Sequence, residues 1–185
     1  AQLLTLQILI WLLQVHKDVK IERLAACLPL QILYDSRRKH LKRFLVLKKL
    51  SVTLIWLPII KAVLDNSLAS GSQIIIVLDR TQWKNNNLLM VSVVWKKRAL
   101  PVYWNFLNKK GSTNINEKIA ILKPVIKLLK HFQIVVIGDR EFGCVEFAYW
   151  LKRQKIRFAL RVKQGTNIRK RGGKYQTMDE LGLKP

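Results

Sequence analysis

The chain has 185 residues and is 50% apolar by the broad count, enough to bury a core. That excludes a disordered chain and a disulfide-stapled miniature. Lys plus Arg is 34 and Asp plus Glu is 11, a net charge of +23, so the chain is expected to face a polyanion, most often nucleic acid.

Residues 1–70 read as helical, 71–163 as alternating strands and helices, and 164–185 as a basic tail. An apolar helix is expected over 2–15, and a short one over 20–28, ended by Pro29. A third, very basic, runs over 37–50 with Leu41, Phe44, Leu45 and Leu47 as its apolar stripe, and a fourth over about 53–68. The apolar runs 8–13 and 51–60 fall short of the roughly 20 residues a membrane helix needs. No signal peptide is read, and a chain starting at Ala1 reads as a fragment. Cys27 and Cys144 form no CxxC pair, and His16, His40 and His131 have no ligand spacing. A zinc site or disulfide framework is therefore not expected, and a cytoplasmic address is.

The segment 21–25, Pro29 and the basic helix suggest a helix-turn-helix-like unit. Arg37, Arg38, Lys39, Lys42, Arg43, Lys48 and Lys49 would face a DNA groove or form a solvated face. Solvated faces normally mix signs and this one has almost no acid, which favours DNA.

After the turn at 70–72 come strands over 74–78, 88–95 and 100–107, close enough in sequence to form antiparallel hairpins. Pro101 cannot donate to a ladder, so the third strand belongs at an edge. Asn114 and Glu117 resemble a capping box opening a helix, with Ile115, Ile119, Leu122, Ile126 and Leu129 as its stripe. A buried strand over 134–137, a helix over 144–154 and a strand over 158–162 complete the order β-β-β-α-β-α-β.

The fourth strand arrives through a helix, so it is expected to be parallel to its partner. If that partner is the first strand, the mixed sheet runs 3-2-1-4-5. Asp79 and Asp139 then end adjacent strands, roughly 5 Å apart, at a switch point where open sheets bind ligands. Paired carboxylates suit Mg²⁺ or Mn²⁺, and a carboxylate pair bridging two metals about 3.5–4 Å apart is a phosphoryl-transfer arrangement. Taken singly, each Asp also reads as a turn or cap residue.

Ile76-Val77-Leu78-Asp79-Arg80-Thr81-Gln82-Trp83 resembles the first catalytic segment of IS4-type insertion-sequence transposases. Ile137-Gly138-Asp139-Arg140-Glu141-Phe142 resembles the second, and Arg157-Phe158-Ala159-Leu160-Arg161-Val162-Lys163 the strand that follows. The resemblance covers about residues 74–163 and implies an RNase H-like core that cuts and joins DNA with a DDE triad and two divalent metals. Asp79 and Asp139 match the first two acids. Nothing matches the Tyr-x2-Arg-x3-Glu-x6-Lys signature of the third, and neither Asp179 nor Glu180 is assigned to it. The resemblance also implies an N-terminal DNA-binding domain, double-stranded DNA (element ends and target) as partner, a homodimer in the DNA complex, and a bacterial, nucleoid-associated location.

Arg140 is expected to hold a DNA phosphate or to neutralise Glu141, which reads as an acid that supports the metal site without ligating it or as a helix-start residue. Thr81 reads as a turn residue, and Trp83 as core or as a base-stacking ring. Arg161 and Lys163, alternating on the last strand, line a DNA groove with Lys155 and Arg157 or protect a sheet edge. The loop 169–174 offers phosphate contacts. The competing readings are a non-catalytic nucleic-acid-binding remnant and a basic α/β module for RNA.

Overall fold

The computed structural model describes residues 2–163, 165–169, 172–177 and 180. Two compact units divide the chain between Ile55 and Trp56.

The first unit holds α1 (Gln2–His16), α2 (Ile21–Cys27) and α3 (Tyr34–Leu45) around Leu9, Leu12, Leu24, Ala25, Leu28, Leu41 and Phe44. Leu41 and Phe44 are three apart and share the inner face of α3. The basic helix expected to reach residue 50 ends at Leu45. Leu47 and Leu50 close turns by donating to Phe44 O and Leu47 O, so Lys48 and Lys49 lie beyond the helix.

A π-helical turn, Val52–Trp56, leads to α4 (Leu57–Ser67). The helices run on to Ser67, within the helical region expected over 1–70, while the division between the compact units falls before α4. Leu57, Ile60 and Leu64 of α4 belong to the core of the sheet unit, because the burial spacing of α4 matches that sheet's apolar face.

The second unit is a mixed α/β layer built on β1 (Gln73–Trp83), β2 (Asn86–Trp95), β3 (Arg98–Leu107), β4 (Gln133–Gly138) and β5 (Arg157–Leu160). Their order is β3-β2-β1-β4-β5. β1–β2 and β2–β3 are antiparallel, while β1–β4 and β4–β5 are parallel. Pro101 does lie on the edge strand β3. Beside it the register jumps from Val91↔Tyr103 to Ser92↔Pro101, so Val102 is the extra residue of a bulge. The Pro101 carbonyl accepts a 3.0 Å bond from Trp56 Nε1.

Ile74, Ile76 and Leu78 of β1 alternate inward with Leu89, Val91 and Val93 of β2. They meet α5 (Ile115–Leu128) and α6 (Val145–Arg153) in one core with Phe142 and Phe147. The capping box forms, with Asn114 Oδ1 accepting from Glu117 N at 2.9 Å and Glu117 Oε2 accepting from Asn114 N at 2.8 Å. The buried stripe of α5 is rotated from the one expected: Lys118, Ile121, Leu122 and Val125 face inward, while Ile119 is half-buried.

All five strands differ in their bounds from expectation, and two of the differences bear on the candidate site. β1 runs past Asp79 to Trp83, because Arg80–Trp83 stay in ladder with Asn86–Leu89 across a two-residue turn. β5 ends at Leu160, so Arg161 and Lys163 follow it rather than alternate on it. A small hairpin, β6 (Asn167–Ile168) with β7 (Gln176–Thr177), follows. No helix among the described residues is long and apolar enough to cross a membrane.

Candidate carboxylate site and basic surfaces

The parallel register of β4 with its neighbours builds the site. Leu78 pairs with Gly138, and Gly138 with Leu160. The next residue on each chain segment is Asp79, Asp139 and Arg161, so these three stand in a row where the parallel ladders end. Neighbouring strands lie about 4.8 Å apart. The Arg161 amide extends the row by donating to Gly138 O at 2.9 Å. Two aspartates and an arginine therefore occupy successive positions.

Both aspartates are exposed. Asp79 Oδ1 accepts from the amide of Arg80 at 2.8 Å, and Asp139 Oδ1 from the amide of Glu141 at 3.0 Å. These local bonds orient each carboxylate. Among the described residues neither aspartate forms an ion pair. Oxygen-only donors, one within β1 and one directly after β4, suit a hard divalent cation in type. They fall short in number, since among the described residues no group of three His, Cys, Asp or Glu side chains gathers.

Behind the row lies a polar network that sequence reasoning missed. Arg80 Nε donates to Glu141 Oε2 at 2.5 Å, and Arg80 Nη1 to Asn87 Oδ1 at 3.2 Å. Asn87, 1% exposed, returns its amide protons to the carbonyls of Lys109 and Gly111. Glu141 Oε1 accepts from both the amide and the hydroxyl of Thr113 at 2.8 Å. Lys118, 3% exposed, donates from Nζ to Glu141 O at 2.7 Å and approaches Cys144 Sγ at 3.8 Å. Its ammonium also lies 5.6 Å from the Phe142 ring centroid. Burial pushes the Glu141 carboxyl upward. The Thr113 amide, the Arg80 guanidinium and the Thr113 hydroxyl together outweigh it, so the group titrates below its ordinary 4.5.

Glu141 is thus a structural anion joining the loop after β4 to β1 and to the start of α5. Its partner is Arg80, not Arg140, which is exposed. The signal available in sequence was a lysine at position 118, spaced three, four and seven residues before Ile121, Leu122 and Val125 on an otherwise apolar helix face.

In the first unit the expected DNA-binding residues divide. Arg37 Nη1 donates to the carbonyls of Ala26 and Leu28 at 3.1 and 3.0 Å, closing the C-terminal end of α2. Arg38 pairs with Glu22 at 3.1 Å and lies on the outer side with Lys39, Lys42 and Arg43, at positions i, i+1, i+4 and i+5. Lys39, Lys42 and Arg43 are exposed there.

In the second unit Arg161 borders Asp139, and exposed Lys163 lies two residues further. The Trp83 side chain, Lys170, Arg171 and Asp179 lie outside the described residues. No family model, no curated protein and no solved structure matches the chain.

Proposed function

We propose that this chain supplies the DNA-handling surface and two of the three acids of a DDE enzyme of the IS4-transposase type. Such an enzyme performs metal-dependent DNA strand cleavage and strand transfer on an RNase H-like core. The observation that carries this reading is the adjacency of Asp79 and Asp139, one position beyond the Leu78↔Gly138 pair of parallel strands. The quoted motif segments support it, as does the strand order.

In this reading Asp79 and Asp139 offer carboxylate oxygens to Mg²⁺ or Mn²⁺, and β1 and β4 hold them rigid. The cation, when bound, would supply Lewis acidity for activating a water or 3′-hydroxyl and for stabilising the leaving oxygen. Arg161 places a positive charge beside the pair, suited to a phosphate of the strand being cut. Arg38, Lys42 and Arg43 present the outer face of α3 to element-end DNA. Pairing of two ends would call for a homodimer, and the setting would be the bacterial nucleoid.

A second reading, a non-catalytic nucleic-acid-binding remnant, is favoured by the shortage of a third ligand among the described residues. Mn²⁺ calorimetry on the wild-type chain, Asp79→Ala and Asp139→Ala decides between them. Loss of binding in both variants supports the paired-carboxylate site. Binding that is absent, or unchanged in both variants, leaves the remnant.

A further inference from the structure

The opposite end of the sheet holds a second basic feature. Where β4 and β5 begin, a cleft of about 580 Å³ opens, lined by Lys130, Lys155 and Arg157 over an apolar wall that includes Ile126, Ile134 and Ile156. Among the described residues no carboxylate lines it. β4 separates this cleft from Asp139 by six residues, Gln133–Gly138, a span of about 20 Å at ~3.3 Å per residue.

Arg157 is held in an unusual way. Its Nη2 donates to Gln73 Oε1 at 3.1 Å and to Gln133 Oε1 at 3.0 Å. Both acceptors are neutral amides on neighbouring strands that pair Gln73↔Gln133. The guanidinium is thereby oriented without being neutralised, and its remaining N–H groups stay available. A fixed, uncompensated fork of donors is what a phosphate contact requires. Lys155 occupies the turn before β5 with φ +57, a left-handed conformation that favours Gly or Asn. Lysine stands there nonetheless, beside the cleft.

We propose that this cleft is a second contact for the phosphate backbone of nucleic acid, with Arg157, Lys155 and Lys130 as its donors. The proposal separates residues 155 and 157 from Arg161 and Lys163, which lie at the carboxylate end. It rests on reading the chain as a nucleic-acid binder and is independent of the metal site.

The test is fluorescence anisotropy of a labelled duplex with the full chain, in EDTA, over a range of salt concentrations. Each lost phosphate contact lowers the slope of log K against log salt by about 0.9. Lys130→Gln with Lys155→Gln should lower it by about 1–2, and adding Arg157→Gln by about 1 more. Lys123→Gln with Lys127→Gln, on exposed positions of α5 outside the cleft, should lower it by less than about 0.5. Among the described residues neither lysine side chain forms a hydrogen bond or ion pair, so this variant keeps the test valid if Arg157→Gln misfolds. A benzophenone side chain at position 154, which also lines the cleft, should crosslink to the duplex.

Wild-type protein that binds no duplex would sink the nucleic-acid reading itself. Duplex binding with equal slopes in the cleft and control variants, or no crosslink from position 154, would overturn the cleft alone. Inorganic phosphate at matched ionic strength should displace no more duplex than chloride does. Selective displacement would reassign the cleft to a small free anion.

Discussion

Arg80 and Glu141, 61 residues apart, meet through Nε and Oε2 at 2.5 Å, and each directly neighbours the carboxylate row: Arg80 follows Asp79, and Glu141 lies two residues after Asp139. The pair ties the two acid-bearing segments to each other from behind. Its side chains are 19% and 14% exposed. Its worth should therefore fall between the surface and the buried limits for ion pairs.

Removing one partner leaves the other charge in a partly dry setting. Arg80→Met is expected to cost about 2–3 kcal/mol in urea unfolding, more than a surface pair and less than a fully buried one. Arg80→Met combined with Glu141→Gln should cost less than the sum of the two single changes, because no unpaired charge remains. Strict additivity would show that the two groups do not support each other.

The same carboxylate sets an acid limit. The folded-state value of Glu141 is lowered from 4.5, so its contribution is fully present above the unfolded value. That contribution is lost as pH falls below about 4.5 and through the folded value. Unfolding free energies measured from pH 6 down to 3 should decline more steeply for wild type than for Glu141→Gln. Parallel curves would assign the acid sensitivity to other groups.

Gly143 lies where the loop after Asp139 passes beneath the end of β5. A Cβ there would lie 2.2 Å from Arg161 O. Gly143→Ala must push Arg161 away from its bond to Gly138 and is expected to destabilise by about 1–3 kcal/mol. Hydrogen exchange at the Arg161 amide should accelerate with it. A variant as stable as wild type would mean that the segment can shift freely.

The β2–β3 hairpin turns through Lys96 and Lys97, with φ +48 and +63. Positive φ at both positions marks a type I′ loop, which favours Asn-Gly. Lys96 recovers some of the cost by lying 4.3 Å over the Trp95 ring, so the second position is the better one to change. Lys97→Gly should raise stability by about 1 kcal/mol in thermal unfolding.

Much of this architecture was legible in the chain. The apolar run 74–78, two short hairpin spacings, the arrival of the fourth strand through a helix and Pro101 together imply the sheet order and the adjacency of Asp79 with Asp139. Asn114 and Glu117 announce the start of α5 because a capping box is a local interaction. What escaped depends on distant partners. The polar end of β1 looks like loop until Asn86–Leu89 supply its ladder. Lys118 looks like a surface residue until the Glu141 carbonyl and two aromatic rings enclose it. Arg37 looks like a groove-facing side chain until the last carbonyls of α2 claim it. Apolar period and turn chemistry belong to single segments, whereas these polar assignments are made by pairs.

The scarcity of internal counter-charge has one more consequence. Glu22, Asp65, Glu117 and Glu141 take part in the ion pairs among the described residues, against 34 Lys and Arg in the whole chain. Such a molecule repels itself, and dissolved salt relieves that repulsion while weakening its grip on phosphates. Folding robustness and polyanion affinity then respond to ionic strength in opposite directions. On the proposed reading of the chain as a nucleic-acid binder, the bound polyanion would resolve the conflict by acting as the missing counter-ion for the fold.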